Sequence, residues 1–107
     1  MQFSELKAGV KSIGFSELRK DSDNYLEAVI VTYKAGELCH VLETFLGPAV
    51  WPSENKLSPQ IEDAIRGSGG IMEGQTLYFL RQDNNTLLTM LWPWGNGEHI
   101  TVKIIQQ

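Results

Sequence analysis

Residues 76–105 read TLYFLRQDNNTLLTMLWPWGNGEHITVKII. Three segments of this stretch, at 76–82, 86–92 and 99–105, are rich in leucine, β-branched and aromatic residues. Asp83-Asn84-Asn85 separates the first two segments, and Asn96-Gly97 lies between the second and third. Asparagine, aspartate and glycine tolerate the left-handed backbone conformations of tight hairpin turns. The pattern therefore predicts three consecutive antiparallel strands joined by two hairpins.

Two further strands are predicted upstream of this meander. Residues 25–33 are rich in β-branched and aromatic side chains, and the centre of the segment is apolar on both parities, as in an interior strand. The glycine-containing turn at 34–37 is short and favours a hairpin, so we predict that residues 38–46 form the partner strand. A helix remains the alternative for 38–46, because one helical face would hold the apolar residues Leu38, Val41, Leu42, Phe45 and Leu46.

Two short helices complete the predicted fold. The first contains apolar residues at helical spacing, namely Phe3, Leu6, Val10 and Ile13. The second begins at Ser58-Pro59, where serine can cap free amides and proline has no amide to lose, and Gly67 is expected to close it in the left-handed conformation. The prediction is a single α+β domain over residues 1–107, with helices and strands in the order α-β-β-α-β-β-β and an antiparallel sheet of about five strands.

Charge and composition exclude several classes of function. The 107 residues include nine Lys and Arg against 13 Asp and Glu, so the net charge of −4 disfavours binding to nucleic acid. The longest apolar run, 28–31, is far shorter than the roughly 20 residues that cross a bilayer. With one cysteine and no leader-like start, we expect a cytoplasmic protein with no membrane association.

Metal and nucleophilic chemistry are also disfavoured. Such a site would need Cys39, His40 and His99 to converge, but neighbouring residues of a strand point to opposite faces. We therefore expect neither a metal ion nor another cofactor. Glu27 and Glu43 would face each other across the first predicted hairpin, although solvated glutamates are the more common outcome at such positions.

Both faces of the predicted sheet are apolar, because the strands at 25–33, 76–82 and 86–92 carry apolar side chains on both parities. Two short helices can cover one face but hardly both. We expect the second face to be covered by a second copy of the chain in a homodimer, since large apolar patches rarely stay exposed. The alternatives are an internal cavity for an apolar small molecule and a site for a different protein.

The aromatic residues are the best candidates for binding. All three tryptophans lie in loops or at the end of a strand, where large aromatics can line a cleft. The predicted ligand- or partner-binding residues are Trp51, Trp92, Trp94, Tyr33, Phe79 and Met90, with Glu43 and His99 as possible polar cleft residues. A non-catalytic binding protein is the first hypothesis. An acidic accessory protein that masks a basic surface and a small enzyme using a Glu or His are the alternatives.

Overall fold

The computed structural model describes residues 2–52, 57–67, 70–71, 74–82 and 85–107. Five strands form one antiparallel sheet in the spatial order β1-β2-β5-β4-β3. A 3₁₀ turn at Thr32–Lys34 precedes the second helix. The elements in chain order are α1 (Gln2–Lys11), β1 (Glu17–Asp21), β2 (Tyr25–Val31), α2 (Ala35–Leu46), α3 (Pro59–Arg66), β3 (Thr76–Gln82), β4 (Asn85–Pro93) and β5 (His99–Gln106).

The α+β class, the five antiparallel strands and the chain order are confirmed. The predicted meander corresponds to β3, β4 and β5, and β2 pairs with β5 in the middle of the sheet. The second hairpin turn contains Gly97, whose φ of 72° requires the left-handed region, as predicted. Asp83 and Asn84 of the first turn lie outside the described residues.

The predicted strand at 38–46 is wrong, because this segment belongs to helix α2. Leu38, Leu42 and Leu46 share one side of the helix and are buried against the sheet. The fifth strand is instead β1, whose five side chains are all exposed and mostly charged, so no apolar pattern marks it. The described residues therefore form three α-helices, whereas two were predicted.

Helices α1 and α2 pack together on one face of the sheet and enclose the larger apolar core. The helices approach closely at Gly9, where an added Cβ would lie 3.1 Å from Cγ1 of Val41. The sheet contributes alternate residues of its strands to this core, including Leu26, Ile30, Leu87, Leu91, Ile100, Val102 and Ile104. This face is thus covered by α1 and α2, and not by the two helices predicted from the sequence, since the second of those, α3, lies on the other face.

Helix α3 lies on the opposite face and covers the part formed by β3, β4 and the end of β5 at Ile105. Its predicted start is confirmed, because the Ser58 hydroxyl accepts a hydrogen bond from the Ile61 amide at 3.3 Å. The prediction for its end is wrong: Gly67 has a right-handed φ of −68°, and Gly70 instead adopts a positive φ of 77°. The Gln107 side chain donates to the carbonyl of Ala64 at 2.8 Å and so ties α3 to the end of the chain.

Candidate functional site

The sheet face that carries α3 is divided into two halves. In the first, which we call the covered half, the side chains of Leu77, Phe79, Leu88 and Met90 pack beneath α3 and the residues around Trp51. In the second, which we call the open half, β1, β2 and β5 carry no helix among the described residues. The expectation that helices would leave part of this face uncovered is therefore met, but only for one half.

An open groove of about 740 Å³ lies at the edge of the covered half, beside α3. We call it the Trp51 groove. Trp51 is fixed there by backbone hydrogen bonds to Leu77, with the Leu77 amide 3.0 Å from the Trp51 carbonyl. The apolar lining consists of Trp51, Leu57, Ile65 and Ile71, and two charged residues of α3, Glu62 and Arg66, complete it. The groove thus joins an aromatic and aliphatic surface to a polar rim.

The charges on the rim of the Trp51 groove are not equivalent. Arg66 donates from a guanidinium nitrogen to Oδ1 of Asp63, one helical turn away, at 2.9 Å. Glu62 forms no ion pair with any cation in the described part of the chain. The positive charge at the rim is therefore already paired, whereas the negative charge is not.

On the open half, Trp94 folds back over the sheet and shields it. The indole nitrogen of Trp94 donates to the Thr101 hydroxyl at 2.8 Å, and the Trp94 ring centroid lies 4.8 Å from that of His99. The guanidinium carbon of Arg19 lies 5.7 Å from the Trp94 ring centroid. Beneath these groups Thr101 and Val29 are buried, although no helix covers them.

A second cation, Lys103, lies over the indole of Trp92. Nζ of Lys103 is 3.6 Å from the ring centroid of Trp92, which is the geometry of a cation–π interaction. Glu27 lies opposite Lys103 on the neighbouring strand, accepts a hydrogen bond from the Tyr25 hydroxyl at 2.6 Å, and lies 3.7 Å from Arg19. Burial and this hydrogen bond raise the pKa of Tyr25 well above its usual range. The open half is therefore an ordered surface of alternating cations, aromatics and carboxylates.

The structure separates the residues that the sequence suggested for one cleft. Trp51 lines the groove, Phe79 is half-buried under α3, and Met90 is fully buried in the core. Trp92 lies on β4 and packs against the cluster of the covered half. The open half carries Trp94 and His99, and Tyr33 lies beside His99 at the end of β2 with 85% of its surface exposed.

The two polar candidates lie on different sides of the molecule. Glu43 is exposed on α2, which packs on the opposite face of the sheet from His99. The alternative in which Glu27 and Glu43 lie on paired strands of one hairpin is excluded, because residue 43 is helical and Glu27 points to the open half. The Tyr78 side chain extends from the sheet to Cys39 of α2. Burial and a hydrogen bond with Cys39 raise the pKa of Tyr78 above its usual range.

Several residues of the two surfaces were not predicted from the sequence. Arg19 and Lys103 are ordinary surface charges in sequence, and nothing in the pattern shows that each lies over an indole. Leu57 and Ile71 come from separate connecting segments and meet only in the fold. Glu62 and Arg66 are four residues apart on an amphipathic helix. This spacing predicts that they lie on one side of α3 but does not predict a groove.

Within the described ranges, no group of three or more His, Cys, Asp or Glu side chains is arranged to hold a metal ion. None of the helices in those ranges is long and apolar enough to span a membrane. Comparison of the chain with models of protein families, with curated proteins and with solved structures finds no match.

Proposed function

We propose that this protein is a non-catalytic binding protein that takes an apolar small molecule in the Trp51 groove. The groove of about 740 Å³ carries the proposal, because it falls within the roughly 300–1,000 Å³ of typical ligand sites. Its composition also fits, since such sites combine a mainly apolar lining with a small number of polar groups. The backbone hydrogen bonds that fix Trp51 to β3 mean that this side of the groove is formed before a ligand arrives.

The distribution of polar residues favours binding over catalysis. An enzyme that used Glu43 and His99 together would need them in one cleft, and they lie on different sides of the sheet. His99 stacks against Trp94 and is enclosed by the open half instead of facing the Trp51 groove. Among the described residues that line the groove, Glu62 is the one carboxylate, and it can orient a ligand.

Titration with neutral aromatic and aliphatic alcohols should quench tryptophan fluorescence in a saturable way. Leu57→Ser removes part of the apolar lining and is expected to weaken binding roughly tenfold, because the ligand loses a hydrophobic contact. Leu18→Ser is the matched control, since Leu18 is 51% exposed on β1 and lies outside the groove. Equal affinities for the two variants, or no response across the alcohols, would rule out the groove as the binding site.

We propose in addition that a second copy of the chain packs on the open half. Tryptophan, tyrosine and arginine are the residue types that dominate the energetic centres of interfaces, and Trp94, Tyr25 and Arg19 lie on this surface. Their stacked and hydrogen-bonded arrangement is ordered already in one chain, which lowers the entropic cost of association. A symmetric dimer is the commonest way in which such a surface is covered.

Light scattering should therefore give a particle mass near twice the 12.0 kDa of one chain. Arg19→Glu places a third carboxylate beside Glu17 and Glu27 on each copy, and we expect it to shift the protein to monomers. Arg81→Glu makes the same change of charge on the opposite edge strand and should leave the dimer intact. A wild-type mass of one chain at every concentration would exclude the dimer.

A further inference from the structure

The rim of the Trp51 groove carries two charged residues of α3. Glu62 and Arg66 are four residues apart on α3, so both lie along the same side of the helix and face the groove. The ion pair between Arg66 and Asp63 at 2.9 Å neutralises the only groove-lining cation of the described residues. Glu62 has no such partner in those ranges, which leaves one uncompensated negative charge at the mouth of an apolar groove.

The rest of the lining suits the same kind of ligand. Leu57, Ile65 and Ile71 supply an aliphatic surface for a hydrocarbon body, and the indole of Trp51 offers a face that attracts cations. A carboxylate ligand would instead face Glu62 and would have to displace Asp63 from Arg66. The net charge of −4 on the whole chain adds to this preference.

We infer that the ligand class of the Trp51 groove is an amphipathic organic cation, in which an aryl or alkyl body carries an ammonium group. This inference rests on the proposed function, because it names what that groove binds. The hydrocarbon body occupies the aliphatic lining, and the ammonium group lies between the Glu62 carboxylate and the Trp51 indole. Arg66 stays bound to Asp63 and makes no contact with the ligand.

The size of the expected selectivity follows from the exposure of the rim. Ion pairs at exposed positions contribute little, and a cation over an exposed indole adds a similar amount. Together they should make binding of the ammonium about threefold to tenfold tighter than binding of a neutral molecule of the same shape. Added salt should reduce this ratio, since the charges are screened.

Three probes of nearly equal shape test the inference: phenethylammonium, phenethyl alcohol and phenylacetate. Their affinities for the full chain are measured by tryptophan fluorescence, and NMR chemical shifts of the Trp51 indole locate the binding. We expect the ammonium to bind most tightly and the carboxylate most weakly. Glu62→Gln should weaken ammonium binding about twofold to fivefold and should affect alcohol binding less.

Glu37→Gln is the matched control, because Glu37 lies in the first turn of α2 on the opposite face of the sheet. It should leave all three affinities unchanged. Equal affinities for the three probes, tighter binding of phenylacetate, or equal effects of the two Gln variants would overturn the charge assignment while leaving the groove as a binding site. Absence of any saturable response, or binding that Leu57→Ser does not weaken, would overturn the groove proposal and the charge assignment together.

Discussion

Leu42→Ala is expected to lower the free energy of unfolding by about 2–5 kcal/mol. Leu42 is fully buried where α2 packs on the sheet, and it lies between Leu38 and Leu46, which are buried on the same side of the helix. Truncation removes apolar contacts and leaves a cavity that two packed helices and a sheet can only partly fill. Chemical denaturation followed by circular dichroism measures the change.

Thr44→Ala is the control that tests the helical assignment of this segment. In a strand, residues 42 and 44 would share one face, so both substitutions would remove buried groups. In α2 the Thr44 side chain is exposed and donates only to the carbonyl of His40, at 2.8 Å. We therefore expect a change of no more than about 0.5 kcal/mol for Thr44→Ala. Comparable losses for the two variants would contradict the helix.

Met90→Ala is the second substitution with a large expected effect, again a loss of about 2–5 kcal/mol in the free energy of unfolding. Met90 is fully buried under α3, in a cluster with Ile65, Leu77 and Leu88. The loss in stability arises because the Met90 side chain lies between α3 and the strands. Its truncation leaves a void between the helix and the sheet. Thermal and denaturant unfolding measure the effect directly.

Met90→Leu separates packing from binding at the same position. A change of similar volume in a core usually costs less than about 1.5 kcal/mol, so this variant should fold nearly as stably as the wild type. Because Met90 does not line the Trp51 groove, its ligand affinity should also stay at the wild-type value. A Met90→Leu variant that folds normally but loses ligand binding would place Met90 in the binding site instead of the core.

The covered half and the open half of the second sheet face bury their residues in different ways. On the covered half, α3 and the residues near Trp51 bury the apolar strand residues and leave a groove at their edge. On the open half, Val29 and Thr101 are buried without a helix among the described residues, and the Trp94 indole donates a hydrogen bond to Thr101. The first arrangement favours a small ligand, and the second favours a flat partner.

The meander formed by β3, β4 and β5 was predictable because its signals are local. Each strand has its own run of apolar residues, and residues that tolerate positive φ lie between the runs, as Gly97 does. The start of α3 is equally local, since Ser58 caps an amide only three residues away. No distant contact has to be known for these elements to be recognised.

Helix α2 was mispredicted because the short glycine-containing turn at 34–37 favoured a hairpin over a helix. Leu38, Leu42 and Leu46 are four apart, so they share one face of a helix and also one face of a strand, but Val41 and Phe45 join them only in a helix. Tertiary packing decides between them. Helix α1 packs on the sheet, and α2 packs on the same face in close contact with α1 at Gly9. Strand β1 escaped prediction for the opposite reason, since an exposed edge strand needs no apolar residues.

Local sequence patterns predicted the α+β class, strands β2, β3, β4 and β5, and the presence of apolar residues on both sheet faces, because hydrophobic periodicity and turn residues act over a few neighbouring positions. Only the tertiary structure decided that the second face divides into a covered and an open half. It also decided that Trp51, Leu57, Glu62 and Ile71 meet in one groove. These contacts join segments far apart in the chain, and a local pattern carries no information about which of them come together.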